Sequence, residues 1–173
     1  RRIVVIGGGN TAIDIAVQSK KLGAENVTLA YRRGPEQMGA TWKEQEFAQT
    51  NGVLLKHWVA PKRLQSENGH VTGIEFECTE LNVEGKLTTT GELRIIEADV
   101  VFKAIGQLFE DTVFSGSEMP EIVGGKIAVN TEFETSLPGV WAGGDCVRSG
   151  EDLTVQAVED GKQAALSIHR KLT

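Results

Sequence analysis

A glycine-rich turn near the start of the chain constrains its fold more than any other feature. The segment Gly7–Ala12 reads G-x-G-x-x-A, and it directly follows Ile3–Ile6, an apolar β-branched run typical of a strand buried on both faces of a parallel sheet. After the turn, Thr11–Leu22 carries apolar residues at helical spacing, and Gly23 follows where a glycine commonly ends a helix. This order of strand, turn and helix predicts the first βαβ unit of a Rossmann-like α/β domain.

The residues of this turn have separate physical roles. Gly7 permits the tight turn, Gly9 lets the backbone approach a pyrophosphate, and Ala12 allows the helix to pack closely on the strand. The pyrophosphate would lie on free N–H groups at the positive end of the helix dipole. The alternative is a plain βα turn that uses glycine only for its geometry. The predicted dinucleotide site comprises Gly7, Gly8, Gly9, Asn10 and Thr11.

The end of the second predicted strand decides between the two nicotinamide cofactors. An acidic side chain there would bind the ribose 2′-hydroxyl of NAD, whereas arginine would accept the 2′-phosphate of NADP. The strand Val27–Tyr31 is followed by Arg32 and Arg33, and no Asp or Glu occupies its end. Guanidinium groups form charge-assisted, often bidentate hydrogen bonds with phosphate. We therefore expect NADP(H), with NAD(H) as the alternative cofactor and a solvated cationic loop as the alternative reading of the arginines.

Helix and strand signals continue through the middle of the chain. An Asn68-Gly69 turn signal lies between two strand-like stretches, and the second alternates apolar with polar residues, as a half-solvated antiparallel strand does. We therefore expect an antiparallel meander between two parts of the parallel sheet. The predicted elements are a helix over Trp42–Thr50, strands over Val53–His57, Arg63–Gln65 and Val71–Leu81, a polar loop over Asn82–Gly91, and a buried strand within Ala98–Ile105.

Ala104, Ile105 and Gly106 end the last of these strands. Their position predicts that they lie at the carboxyl edge of the sheet, where ligands bind in open α/β folds. Gly106 would let the backbone approach the nicotinamide half of the cofactor. We therefore add these three residues to the predicted site because of their surroundings, since the tripeptide alone is weak evidence.

The character of the chain changes near Leu108, and we predict a domain boundary between residues 1–107 and 108–173. The second part is predicted to hold an irregular segment, a Gly124-Gly125 turn, two short strands and a long helix. The irregular segment is predicted over Phe109–Glu121, the strands over Ile127–Val129 and Val140–Ala142, and the helix over Thr154–Lys171. The apolar residues of the helix that are available for packing are Val155, Val158, Ala165, Leu166 and Ile168.

A second glycine motif is the most specific stretch of the chain. Thr135–Asp145 joins a turn, a short apolar strand, two glycines and an aspartate, and a helix follows. Together with the first glycine motif, it resembles the two-dinucleotide-binding, disulfide-reductase-like flavoproteins. Within that group the resemblance is strongest to the small (beta) subunit of glutamate synthase and to the flavin-NADP region of NAD(P)-dependent dihydropyrimidine dehydrogenase. The residues that carry it are Gly7–Ile15, Tyr31–Arg33, Ala104–Gly106, Thr135–Asp145 and Leu153–Ala165.

The resemblance implies an α/β fold with two parts. The first is a Rossmann-like three-layer nucleotide-binding domain that combines a parallel sheet with an antiparallel β-meander, and the second is a C-terminal remnant of an FAD-binding domain. Asp145 would hydrogen-bond the ribityl chain or phosphate region of FAD, and Gly144 would admit the cofactor. The backbone N–H groups of Thr154 and Val155 would face the flavin N1–C2=O edge, where a helix N-terminus stabilises reduced flavin.

The resemblance also implies what lies outside this chain. Members of the group bind the ADP half of FAD, and hold their iron–sulfur clusters, with residues that precede the nicotinamide domain. Because Arg1 leads straight into the first strand, we expect a fragment of a longer protein. An N-terminal FAD and iron–sulfur region, or a large catalytic subunit, would complete it. Apolar residues left without cover would favour the association of two copies.

The function that we expect is hydride transfer from C4 of NADPH to N5 of FAD. Electrons would then pass to iron–sulfur clusters or to a partner subunit. This oxidoreductase step needs no catalytic acid or base from the protein, and we nominate none. Thioredoxin reductases share the first glycine motif and the arginine pair, so a thioredoxin-reductase-like flavoprotein is one alternative. A non-catalytic NADP-binding module is the other.

Composition restricts the partners. The net charge of −6 argues against nucleic acid, which needs clustered positive charge, and no apolar run reaches the roughly 18 residues of a membrane span. Cys78 and Cys146 are far apart, so we expect free thiols and a cytoplasmic protein rather than a disulfide framework. The sequence shows no cluster of residues with the spacing of metal ligands. We predict that the three histidines are surface or strand-end residues: His57, His70 and His169.

Overall fold

The computed structural model describes residues 1–110, 119–148 and 153–173. The chain divides into two compact units, Arg1–Gly106 and Gln107–Thr173. The elements of the first unit are β1 (Arg2–Ile6), α1 (Asn10–Lys21), β2 (Asn26–Ala30), a 3-10 turn (Pro35–Gln37), α2 (Trp42–Thr50), β3 (Val53–Lys56), β4 (Val59–Glu67), β5 (His70–Leu81), β6 (Leu87–Glu97) and β7 (Val100–Lys103).

Four strands of the first unit form a parallel sheet in the order β3-β2-β1-β7. Their last residues lie side by side, because Ile6 is opposite Ala30 on one side and Lys103 on the other. Ala30 is in turn opposite Lys56. The segments that follow these strands therefore leave the sheet at a common carboxyl edge. They begin with Gly7 after β1, Tyr31 after β2, His57 after β3 and Ala104 after β7.

The parallel sheet is covered on both faces because successive residues of a strand point to opposite sides. Val5 of β1 lies in a core with the buried residues of α1 and α2. Val4 lies in a second core, in which Ile74 and Phe76 of β5 cover the other face. The covering strands form an antiparallel sheet in the order β4-β5-β6. Helices, parallel sheet and meander make three layers, and the predicted α/β nucleotide-binding fold is confirmed.

The antiparallel sheet both agrees with and departs from the predicted pattern. The Asn68-Gly69 turn is present, with φ angles of +50° and +78° that suit a tight hairpin. The polar loop predicted over Asn82–Gly91 is wrong in its second half, because β6 begins at Leu87. The residues from Thr88 onwards are mostly exposed and lack apolar alternation, and Gly91 lies within the strand at a φ of +83°. Pairing with β5, rather than burial, fixes this strand.

The second unit holds two short strands and a long helix in its described residues: β8 (Ile122–Val123), β9 (Lys126–Ile127) and α3 (Thr154–Leu172). The Gly124-Gly125 turn joins the strands with φ angles of +62° and +78°. The strand predicted over Ile127–Val129 is shifted, since only Ile127 of that range belongs to β9. Helices of the described residues lack the combination of length and hydropathy needed to cross a membrane.

Two other predictions for the second unit have different outcomes. The strand predicted over Val140–Ala142 is wrong, because Trp141 makes an isolated bridge to Glu134 without a continuous ladder. A turn bounds it on one side, where Val140 N–H donates to Leu137, and the two glycines bound it on the other. Of the segment predicted to be irregular, residues 111–118 lie outside the described part of the chain.

α3 packs through small and polar side chains rather than the predicted apolar ones. Asp160 is 1% exposed, and Ala164 and Ser167 are also buried. The Trp141 indole N–H donates to Ser167 Oγ at 3.0 Å, which fixes the helix against the preceding segment. The prediction for the apolar face is wrong for most of its members, because a stripe of small residues allows closer packing. Exposed or partly exposed are Val155, Val158, Ala165, Leu166 and Ile168.

Candidate dinucleotide-binding site

Gly7 is constrained by its neighbours at the start of the turn. Its φ is +154°, and a Cβ there would collide with the carbonyl oxygen of Ala104 and lie 3.0 Å from the Cβ of Ala12. Gly7 N–H also donates to Ala30 O at 3.0 Å, which ties the turn to β2. Ala12 is fully buried. Gly7 therefore provides the tight turn, and Ala12 provides the close packing of α1 on the sheet.

Gly8 and Gly9 differ in what surrounds them. A Cβ on Gly8 would lie 2.5 Å from the ring of Tyr31, so the ring requires a glycine at this position. A Cβ on Gly9 would meet no protein atom of the described structure within 4 Å. The φ of −102° and ψ of 179° at Gly9 are open to any residue. Neither φ nor packing within the described residues requires glycine at position 9, and the open space beside it could hold a ligand.

The N-terminus of α1 lies open beside this space. Gly9 is the N-cap and offers no side chain to the first N–H groups, and the first turn holds no acidic residue. Asn10 and Thr11 are exposed at the same end of the helix. Uncapped N–H groups at the positive end of a helix dipole attract an anion. The combination fits the pyrophosphate of a dinucleotide.

Arg32 and Arg33 follow β2 at the same edge of the sheet. Within the described part of the chain, neither guanidinium takes part in a hydrogen bond or an ion pair. Their backbone carbonyls, in contrast, accept hydrogen bonds: Thr79 Oγ1 lies 2.8 Å from Arg32 O, and Trp58 N lies 3.2 Å from Arg33 O. A fixed backbone that carries two free cationic groups fits the 2′-phosphate of NADP.

The segment after the arginines folds back onto the glycine turn. Tyr31 Oη donates to Gln37 O at 2.6 Å, and Ala40 N–H donates to Gly8 O at 2.9 Å. Gln45 on α2 holds the segment from the other side, since its Nε2 donates to Ala40 O at 3.0 Å. Sequence reasoning did not assign Tyr31 a role in the site. Only its place at the strand end, next to the arginines, could have indicated one.

Ala104, Ile105 and Gly106 lie at the carboxyl edge, as their position predicted. Ala104 N–H donates to Ile6 O at 2.8 Å, which holds this segment beside the glycine turn. Ile105 is 63% exposed, and Gly106 has a φ of +90° with open space where a Cβ would stand. The first unit therefore brings all three parts of its predicted site to one edge of the parallel sheet.

His57 follows β3 at this edge and differs from the other two histidines. Its Nε2 is buried and has no hydrogen-bond partner among the described residues. Burial lowers the pKa of His57 from its ordinary value of 6.5, because removal from water disfavours the charged imidazole. His57 lies at the strand end, as predicted, and the residue is half-buried rather than fully exposed. Among the described residues, no His, Cys, Asp and Glu side chains group as metal ligands would.

Gly144 and Asp145 lie in a turn of the second unit that packs on α3. Gly144 has a φ of +80°, and a Cβ there would lie 3.3 Å from the Cβ of Ala157. Gly144 N–H donates to Asp160 Oδ2 at 2.9 Å, and Gln156 Nε2 donates to Asp160 Oδ1 at 2.7 Å. Asp145 is exposed. Asp160 thus holds the turn that presents Asp145, a role that sequence reasoning did not predict.

Thr154 and Val155 open α3 close to this turn. The N-cap is Leu153, whose side chain cannot bond the first N–H groups, and the first turn holds no acidic residue. Thr154 and Val155 are exposed. The second unit therefore brings its four predicted residues together around the start of α3. An uncapped, positive helix end beside a glycine turn fits the negative edge of a reduced flavin.

Comparisons with known proteins agree with this geometry. The chain is 35% identical over 180 residues to the glutamate synthase (NADPH) small chain of Escherichia coli (strain K12), covering 97% of this chain and 38% of that protein. It is 34% identical over 180 residues to the NADP(+)-dependent formate dehydrogenase subunit beta of Moorella thermoacetica, covering 98% of this chain and 25% of that protein. The chain thus spans well under half the length of these relatives.

A solved structure and a family model complete the comparison. The fold is similar to that of thioredoxin reductase from T. acidophilum, with a TM-score of 0.82 and 25% identity, over 98% of this chain and 52% of that one. These relatives imply FAD and NADP as cofactors and confirm the predicted resemblance to FAD- and NADPH-dependent oxidoreductases. The model of the pyridine nucleotide-disulphide oxidoreductases matches residues 1–161, and the chain belongs to that family.

Proposed function

We propose that Arg1–Gly106 is the NADPH-binding domain of a longer flavoprotein oxidoreductase, and that Gln107–Thr173 is the C-terminal part of its FAD-binding domain. The observation that carries the proposal is the shared edge of the parallel sheet. There, open space over Gly9, an uncapped α1 and two guanidiniums without a partner among the described residues, those of Arg32 and Arg33, lie together. A plain structural turn explains none of these three features.

In the first unit, each part of the site binds a different part of NADPH. The N–H groups at the start of α1, with Gly7–Thr11, hold the pyrophosphate. Arg32 and Arg33 hold the 2′-phosphate. Ala104–Gly106 support the nicotinamide half at the other end of the dinucleotide. Binding at three separate points fixes the orientation of the ring, which is the contribution that a protein makes to hydride transfer.

In the second unit, the residues around α3 hold one side of the flavin. When both cofactors are bound, the nicotinamide supplies a hydride and the flavin accepts it. Asp145 would bind the ribityl or phosphate region, and the N–H groups of Thr154 and Val155 would hold the pyrimidine edge. The positive end of α3 stabilises the negative charge that reduction brings to that edge. We propose that a further region of the longer protein binds the ADP half of FAD, since this chain spans 38% of the glutamate synthase small chain.

The electron acceptor lies outside this chain. The glutamate synthase small chain and the formate dehydrogenase subunit beta are both named as parts of larger assemblies, and this chain spans 38% and 25% of their lengths. We therefore propose that electrons pass to iron–sulfur clusters or to a partner subunit, as in an enzyme of the glutamate synthase or dihydropyrimidine dehydrogenase type. The isolated chain would associate with a second copy, which light scattering at high concentration would detect.

The arginine pair provides the test of the nicotinamide assignment. Replacing Arg32 and Arg33 by alanine should weaken NADPH binding by roughly 1–3 kcal/mol for each lost charge-assisted bond, with little effect on NADH. Titration of each nucleotide, followed by NADPH fluorescence, measures this difference. Arg148→Ala, which removes an exposed arginine of the second unit, is the control for net charge. Equal loss of both nucleotides would refute the 2′-phosphate assignment.

A thioredoxin-reductase-like enzyme is the second candidate, and the TM-score of 0.82 favours it. The sequence favours the first candidate, since identity is 35% to the glutamate synthase small chain and 25% to the thioredoxin reductase. Dithiol-disulfide exchange and dye reduction distinguish these activities in the longer protein. NADPH-dependent dye reduction without thioredoxin reduction supports the first candidate, and NADPH binding without any turnover supports a non-catalytic module.

A further inference from the structure

The backbone that carries the arginine pair is tied down at three consecutive carbonyl groups. Tyr31 O accepts from Val59 N at 3.1 Å, Arg32 O from Thr79 Oγ1 at 2.8 Å, and Arg33 O from Trp58 N at 3.2 Å. The donors come from β4, β5 and the turn before β4. The antiparallel sheet therefore anchors the segment, while both guanidiniums stay free of partners within the described part of the chain.

Thr79 supplies the side-chain donor of this set. It lies on β5, is 5% exposed, and is separated from Arg32 by 47 positions in the chain. Its backbone N–H also donates to Trp58 O at 2.9 Å. One residue thus holds Arg32 directly and, through the backbone of Trp58, holds Arg33. The other two bonds join backbone to backbone, so the hydroxyl is the part of the anchor that a substitution can remove.

Trp58 has an unfavourable backbone conformation. Its φ is +61°, a left-handed conformation that is costly for a bulky residue. Its ring lies against Gly34, where a Cβ would stand 2.7 Å from a ring carbon. Such a conformation persists only where the surroundings over-determine it. The Thr79 bonds to Trp58 and to Arg32 are part of those surroundings.

We propose that Thr79 is a positioning residue for the 2′-phosphate of NADP. Its buried hydroxyl fixes the peptide of Arg32, so that the side chain extends from a backbone that is already in place and less backbone freedom is lost on binding. Without the hydroxyl, Arg32 O loses its partner and the peptide can turn towards water. The proposal rests on the proposed function, because it assumes that the arginine pair binds this phosphate.

The test uses two nucleotides that differ only in the 2′-phosphate. The whole chain is titrated with adenosine 2′,5′-bisphosphate and with 5′-AMP, and the ratio of the two Kd values is the readout. Thr79→Val, which is nearly isosteric, should reduce the preference for the bisphosphate by about three- to tenfold, the size expected for one hydrogen bond. Thr79→Ser keeps the hydroxyl and should keep the preference.

Thr90→Val is the matched control. Thr90 Oγ1 also bonds a backbone carbonyl in the same sheet, that of Cys78 at 3.3 Å, but it does not bond the arginine segment. The control should leave the ratio of Kd values unchanged, even if it lowers the melting temperature as much as Thr79→Val does. If Thr79→Val does not fold, Thr79→Ala removes the same hydroxyl without adding bulk and is assessed by the same ratio.

The outcomes separate this proposal from the one on which it rests. If the unmodified chain binds both nucleotides equally, the NADP assignment fails, and the role of Thr79 fails with it. If the chain prefers the bisphosphate and loses that preference with Arg32 and Arg33, but keeps it in Thr79→Val, only the role of Thr79 is overturned. Equal weakening of both nucleotides in Thr79→Val would also overturn it, since that is the effect of general destabilisation.

Discussion

Gly8 and Gly9 are neighbours in the chain, but different physical constraints act on them. The ring of Tyr31 occupies the space where a Gly8 side chain would stand, whereas the corresponding space at Gly9 is open in the described structure. The first glycine is therefore a packing requirement of the folded chain. The second is not required by packing within the described residues, and we attribute it to the proposed nucleotide site.

Substitution of these two glycines should separate stability from binding. Gly8→Ala should destabilise the fold by roughly 1–3 kcal/mol, because the methyl group overlaps the Tyr31 ring. Gly9→Ala should change stability much less, because alanine fits the local φ and restricts the unfolded chain but is a poorer N-cap residue than glycine. The same methyl group should weaken NADPH binding. Urea unfolding and NADPH titration of both variants measure the two effects, and a Gly9→Ala variant that is as destabilised as Gly8→Ala would contradict the interpretation.

His57 predicts a pH dependence of stability. Its pKa is lower in the folded chain than in the unfolded chain because of burial, so the folded state binds fewer protons. Above the unfolded-state pKa of 6.5 the imidazole is neutral in both states, and the His57 contribution to the free energy of unfolding is fully present. That contribution is lost as the pH falls from 6.5 through the lower folded-state pKa. Chemical unfolding at pH 7.5 and at lower pH should show this loss, and His57→Gln should reduce it.

His70→Gln is the matched control for this measurement. His70 opens β5 and is exposed, so its replacement should leave the pH dependence of the unfolding free energy as it is in the parent chain. An unchanged slope in His57→Gln would show that another group causes the loss. The comparison is made above the pH at which carboxylates titrate, because those groups would add their own dependence.

At the residue scale, the sequence was enough to predict the residues of the candidate site, but not the residues that hold them in place through hydrogen bonds. Gly7, Gly9 and the arginines have side chains or spacings with a direct chemical meaning, and these can be read locally. Thr79 and Asp160 act through hydrogen bonds to distant parts of the chain, Arg32 and Gly144. A threonine in a strand and an aspartate in a helix carry no local signal of such a partner.

At the scale of elements, the parallel strands and α1 were predictable because burial on both faces leaves long apolar runs. β6 was not, because it pairs with β5 while its side chains stay mostly in water. α3 was predicted with nearly its observed bounds but with the wrong contact face. Its contact face consists of small and polar residues, so hydrophobic periodicity points to the opposite side.

The contact face of α3 leads to a prediction about Asp160. Asp160→Ala removes the acceptor for Gly144 N–H and for the Gln156 amide. Each group left unpaired should lower the free energy of unfolding by up to about 3 kcal/mol. The loss should appear locally, as faster hydrogen exchange in the Gly143–Val147 turn. Glu159→Ala, at an exposed position of the same helix, is the control and should leave exchange in that turn unchanged.

For the whole molecule, the two units predict different behaviour towards the two cofactors. The first unit holds every part of the predicted NADPH site, whereas the second is proposed to hold only one side of a flavin site. The purified chain should therefore bind NADPH and be colourless or nearly so. The chain is incubated with an excess of FAD, and unbound flavin is removed. Absorbance between about 350 and 500 nm then measures how much FAD stays bound. A stoichiometric yellow complex would show that the flavin site is more complete than proposed.

The position of β1 in the parallel sheet has a consequence for how the chain is made. β1 lies between β2 and β7, and β7 spans Val100–Lys103. During synthesis, one edge of β1 therefore has no partner until the ribosome has released most of the first unit. The meander, whose strands pair with their sequence neighbours, can form during that interval. Closure of the nucleotide site at Ala104 must then be among the last steps, so a nascent chain gains the ability to bind NADPH only when its first unit is complete.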